Sequence, residues 1–236
     1  GFAKVMQTYE RLAPLLARHP NFELGINTVF CHGNQERMDD IVDFVAGLKH
    51  VRTHTLSLVR GDLADPSHKQ VDLDRYEHAV ARLEHRARAG AAPMYRFRGA
   101  RLKAAQDILQ RRLILRTAQE ERRLVPCHAG RLNLVLSESG EVYPCETRTA
   151  SLGNVRDHDY DLRAVMRSAL ARETLDSIAR RECACTHECY FITNILFSPS
   201  CYPALASEYL RLPPGLAPAR VPGETGRDAP TARTGS

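Results

Sequence analysis

Five of the seven cysteines fall between Cys127 and Cys189, and this crowding constrains the chain more than any other feature. The segment opens with Cys127-His128-Ala129-Gly130 and an apolar run, Leu132 to Leu136, that reads as a strand. A turn at Ser139-Gly140 follows, then Glu141-Val142-Tyr143-Pro144-Cys145. Beyond Leu152-Gly153-Asn154-Val155 and a helical stretch comes the compact cluster Cys183-Ala184-Cys185-Thr186-His187-Glu188-Cys189. A hairpin returns its two ends to one place, so Cys127 and Cys145 are predicted to face a common point. The later loop supplies further thiols without needing a large core.

Converging thiolates suit zinc or an iron–sulfur cluster, both of which take soft, deprotonated sulfur. Cysteines buried merely as core residues do not bunch as Cys-x-Cys-x-x-x-Cys. A disulfide framework fits poorly, because the chain is long and shows no signal peptide. Zinc ribbons bring paired Cys-x-x-Cys knuckles, whereas Cys127 and Cys145 are split by seventeen residues, which weighs mildly against zinc.

Cys127, twelve residues, Gly140, four residues, Cys145, Gly153-Asn154, then a compact cysteine cluster resembles the auxiliary-cluster domain of radical S-adenosylmethionine enzymes. That domain is called SPASM, or twitch in its one-cluster form. The resemblance implies that Cys127 and Cys145 ligate an auxiliary [4Fe-4S] cluster, completed from Cys183, Cys185 and Cys189. Only Cys185-x3-Cys189 keeps the spacing of the longer two-cluster array, which favours one cluster over two.

The earlier chain reads as a different kind of structure. Val5, Tyr9, Leu12, Leu15 and Leu16 mark an amphipathic helix over Phe2 to Arg18, ended by Pro20-Asn21. Phe22 to Phe30 reads as a strand, Met38 to Leu48 as a helix with Asn34 as a possible cap, and Thr53 to Val59 as a second strand. Leu73 to Arg88 is a third helix. This alternation is the rhythm of a parallel α/β sheet, whose ligands bind beyond the carboxyl ends of strands. The fold class expected is therefore α/β: the C-terminal part of a partial (β/α)6-type barrel, then a small α+β cysteine-rich cluster-binding domain. The expected divisions are 1–92 for barrel units, 93–123 for a basic linker helix, 124–212 for the cluster domain and 213–236 for a disordered tail rich in Pro, Gly, Arg and Thr.

The resemblance also implies a site for S-adenosylmethionine. Polar groups on one family strand and an Arg near the next touch its ribose and carboxylate, which points to Asn27, Thr28 and, best matched as a guanidinium fork, Arg60. The family's Cys-x3-Cys-x2-Cys loop is formed by none of the seven cysteines. With Gly as residue 1, the chain is expected to be a fragment or processed form of a radical enzyme acting on a peptide, protein or small molecule. A reductant protein is the expected partner. The alternative is a non-catalytic iron–sulfur or zinc-binding module, an electron carrier or a scaffold.

Other features carry less. Cys31-His32 lacks an orienting acid and reads as structural or incidental. His187 and Glu188 sit within the cysteine loop, where hydrogen bonding to the sulfurs suits them better than ligation. Pro93 to Arg123 is strongly basic, but Leu102, Ala105, Ile108, Leu109, Leu113 and Leu115 make it a helix with an apolar face and a solvated one. With net charge only +5 and few stacking aromatics there, nucleic acid is a weak third reading. No apolar run of about 18 residues exists to span a membrane. Thiolate ligands suit a reducing, cytoplasmic compartment.

Overall fold

A computed structural model describes residues 1–19, 22–91, 95 and 97–214. The expected helix stop at Pro20-Asn21 and nearly all of the expected disordered tail lie outside the described residues. The N-terminal amphipathic segment forms two helices, α1 (Phe2–Leu12) and α2 (Leu15–Arg18), rather than one. The break is at Pro14, whose ring removes an amide donor from the helical ladder. No residue of α1 is buried; Phe2 meets Phe44 with ring centroids 5.4 Å apart.

Strand β1 (Gly25–Phe30) leads through helix α3 (Met38–Gly47) to strand β2 (Thr53–Leu58), and the two strands pair in parallel from Gly25↔Thr53 to Phe30↔Leu58. Both strands are shorter than the sequence suggested. Asn34 does not cap α3; its side chain accepts from the Cys31 amide, 3.0 Å, and donates to Val29 O, 2.8 Å. Helix α4 (Leu73–Arg88) has the predicted limits, because Asp72 accepts from the Asp74 and Arg75 amides and fixes its start.

The basic segment forms α5 (Ala100–Glu120), which does not present the free solvated face expected of a linker. Ala104, Ala105, Ile108, Ile114 and Leu115 are buried. Several of its arginines serve the interior instead. Arg112 forks onto Glu84, with bonds of 2.5–3.1 Å, and reaches Glu208 at 2.7 Å; Arg88 adds a 2.7 Å bond to Glu208. Glu84 and Glu208 are almost wholly buried, and a buried carboxylate is tolerable only when paired in this way.

The remaining chain begins with a small antiparallel sheet, β3 (Val135–Leu136), β4 (Glu141–Tyr143) and β5 (Gly153–Asn154), in the order β3-β4-β5. The predicted hairpin is present, but its first strand is only two residues long and a third strand joins it. Gly140 closes the turn at φ +91°, and a Cβ there would stand 2.5 Å from Asn154 Oδ1, so glycine is required twice over. The next helical stretch is α6 (Leu162–Met166) and α7 (Ala169–Ala179). It breaks at Ser168, whose hydroxyl caps α7 by accepting from the Ala171 amide.

Helix α8 (Glu188–Leu196) follows the cysteine loop, and α9 (Tyr202–Arg211) ends the described fold. Helix α5 packs on α4, α8 and α9. The main core therefore joins Phe30, Leu56, Tyr76 and Ile108 with Phe191, Ile195 and Leu212 from the far end of the chain. Two smaller apolar clusters serve the cysteine-rich part: Val142, Leu152, Val155, Val165 and Ala171 in one, and Ala129, Cys145, Ile178 and Tyr190 in the other. No described helix is long and apolar enough to cross a membrane.

Candidate metal centre

The two hairpin cysteines lie at one small apolar cluster. Cys145 lies in the small apolar cluster with Ala129, Ile178 and Tyr190, and Cys127 and Leu175 pack against it. Two local devices shape this corner. The His128 amide donates to Asn194 Oδ1 on α8, 2.8 Å away, and pins the Cys127 segment to that helix. Gly130, at φ +76°, lets the chain pass so near Leu175 that a Cβ would sit 2.3 Å from its Cδ2.

The loop after α7 brings in two more thiols. Burial pushes the Cys185 thiol above its ordinary value; the His187 backbone N–H opposes that, while the Cys127, Cys183 and Cys145 sulfurs add to it. Those three sulfurs thus lie within electrostatic reach of Cys185. Thr147 Oγ1 stands 3.3 Å from Cys145 Sγ, and Arg123 Nη2 donates to Cys183 Sγ at 3.2 Å. Among the described residues no three Cys, His, Asp or Glu side chains close around a single ion. Four cysteines of one segment, with the Arg123 guanidinium donating to the Cys183 sulfur, suit an iron–sulfur group.

The other cysteines stand apart. Cys189 is exposed in the first turn of α8. Cys201 is buried in the main core, where desolvation pushes its thiol up. Cys31 is half-buried just past β1, and neighbouring His32 Nδ1 lies 3.1 Å from both Gln70 O and Gln35 Nε2. All seven cysteines are free thiols.

Beside the cysteine loop His187 is buried edge-on against Tyr190, ring centroids 5.1 Å apart, with Nε2 2.5 Å from Glu146 Oε2. The Tyr190 hydroxyl is pushed up to about 12, chiefly by burial and next by Cys145. Glu188, also buried, receives Arg60 Nη1 at 2.6 Å. This pair ties the end of β2 to the start of α8. An open cleft of about 800 Å³ lies here, lined by Arg60, Asp62, Lys69, Arg148, Cys185 and His187 among others.

The three residues expected at an S-adenosylmethionine site do not share one surface. Arg60 lines the cleft but already holds the Glu188 carboxylate. Asn27 is exposed on one face of β1, its Oδ1 accepting from Ser57 Oγ at 2.9 Å. Thr28 points to the opposite face, 2.9 Å from His54 Nε2. Sequence reasoning took Arg123 only as part of a basic run and missed its contact with Cys183. Its place just before Cys127 was the available signal.

Residues 127–190 match the family model for SPASM, an iron–sulfur cluster-binding domain. The match supports iron–sulfur cluster binding by that segment. The match takes in β3 to α7, the cysteine loop and the start of α8. It leaves the parallel β1–α3–β2 unit outside. No curated protein and no solved structure matched the chain.

Proposed function

We propose that Cys127, Cys145, Cys183 and Cys185 hold an auxiliary [4Fe-4S] cluster, and that the chain works in a radical S-adenosylmethionine enzyme. The observation carrying this reading is the SPASM match over residues 127–190, which contains all four cysteines, with Cys145 inside one small apolar cluster and Cys127 packed against it. Cys189 is the cysteine of the loop left out of the ligand set, in keeping with its exposure. When bound, the cluster supplies one-electron chemistry or a Lewis-acidic iron near the cleft.

This chain's residues have definite parts in that scheme. Tyr190, Ile178 and Ala129 exclude water from the Cys145 side. His187, held by Glu146, packs on Tyr190 and sets one wall of the cleft. Lys69, Arg148 and Asp62 give that cleft both charge signs, suited to a zwitterionic or peptide-like substrate rather than an apolar one. The parallel β1–β2 pair, with α3 as its crossover, supports a place in a partial (β/α)6-type barrel. Arg60 and Asn27 remain the candidates for contacting S-adenosylmethionine, with Thr28 turned away toward His54. A Cys-x3-Cys-x2-Cys loop and a reductant protein, in a reducing compartment such as the cytoplasm, complete the scheme.

Reconstitution without oxygen tests it. About four irons and four sulfides per chain are expected, with broad visible absorbance. Cys185→Ser should lose most of the iron and Cys189→Ser should keep it. One tightly held zinc without sulfide would overturn the reading in favour of a structural zinc module.

A further inference from the structure

Arg123 makes three directed contacts around one cysteine. Its Nε donates to Cys183 O at 3.1 Å, its Nη1 to Ile178 O at 2.5 Å, and its Nη2 to Cys183 Sγ at 3.2 Å. Part of this has a structural explanation. Ile178 lies in the last turn of α7, where its carbonyl also accepts from the Arg181 amide at 3.2 Å and a cation meets the negative end of the helix dipole. Capping does not require the third contact. The planar guanidinium is fixed by two main-chain carbonyls, and its third nitrogen is thereby aimed at a sulfur.

We infer that Arg123 positions Cys183 as a cluster ligand and sets the cluster's reduction potential through the N–H···S bond and its charge. The inference rests on the reading above that Cys183 is a ligand. Adding one electron to an iron–sulfur cluster increases negative charge on its thiolates. A hydrogen bond to sulfur and a fixed cation both favour the reduced form, and both are established determinants of cluster potential. Lysine would keep the charge but, as a point donor, could not hold the two carbonyls and the sulfur together. Methionine would keep much of the apolar volume and remove both effects.

The test is a spectroelectrochemical titration of the full reconstituted chain, wild type beside Arg123→Met and Arg123→Lys, each first assayed for iron and sulfide. The expected result for Arg123→Met is full iron with the reduced-to-oxidised ratio at fixed potential lowered about tenfold, equivalent to ~59 mV for a one-electron couple. Arg123→Lys should recover part of that shift. Full iron in Arg123→Met with an unmoved potential would overturn the inference. Should Arg123→Met fail to hold iron, pulsed EPR on the reduced wild type carrying 15N-arginine decides. A 15N coupling that disappears in Arg123→Lys supports the bond, and no coupling in the wild type overturns it. Cys183→Ser separates this from the reading beneath it: full iron and an unchanged spectrum there would remove Cys183 from the ligand set, whatever Arg123 does.

Discussion

The two halves of the molecule are held together by different means. The α-rich half, from β1 to α5 with α8 and α9 returning to it, buries Phe30, Tyr76, Leu56, Ile108, Ile195 and Leu212 in one continuous core. Each such side chain contributes about 1.5–3 kcal/mol by leaving water. The cysteine-rich half has strands of two or three residues and two small clusters, the larger built on Val142, Leu152 and Val165. So little apolar burial is the usual condition of segments whose fold depends on a bound metal group. The lesson is that one chain can delegate stability to packing in one place and to ligation in another.

The comparison is tested most severely by removing a thiol. Cys145→Ala should lose most of the cluster's iron, and amide exchange should then quicken through β3, β4 and the loop after α7 while α4 and α5 stay protected. Uniform loss of protection across both halves would show that packing and ligation are not separable. A second cut falls on the other half. Arg112→Met leaves the buried carboxylates of Glu84 and Glu208 short of their main partner. The expected cost is about 3–5 kcal/mol, read as a lower melting temperature, with iron content per folded chain unchanged. A loss within experimental error would mean that Arg88 and Arg211 alone satisfy the pair.

The smallest effect concerns pH. Burial, helped by Arg111, holds His54 down at about 4, against 6.5 when exposed. Between those values the unfolded chain takes up a proton that the folded chain refuses, so stability should fall as pH drops from 6.5 toward 4. His54→Gln keeps a donor or acceptor for Thr28 and should flatten that slope. Denaturant titrations at several pH values measure it, and equal slopes in the two proteins would clear His54 of the effect.

Sequence patterns foretold what depends on neighbours along the chain. Helix α4 has its predicted limits because Asp72 and an unbroken apolar period specify it locally. The approach of Cys127 and Cys145 to one apolar cluster accords with the turn at Gly140. What escaped were pairings made by tertiary proximity. Arg60 and Glu188 lie 128 positions apart, and nothing local distinguishes that glutamate from a solvated one. The arginines of α5 look like a charged surface until α4 and α9 bring buried carboxylates against them. Strand β3 was overestimated because Leu132 and Leu136, apolar by type, are exposed and unpaired in any core.

Helix α8 has a consequence for how the two halves respond together. Tyr190 and Phe191 are adjacent in sequence yet lie in different clusters, since each residue advances about 100° around a helix. One helix is thus a shared wall, and neither side can melt without exposing the other's lining. Thermodynamically, the metal group acts as a ligand of the native state whose binding free energy spreads by mass action to whatever must stay folded for it to bind. The α-rich half contributes none of the ligand thiols and should keep α4 and α5 protected without them. The α8 wall alone therefore carries that stabilisation across, and the protection of α8 becomes the gauge of whether the iron is in place.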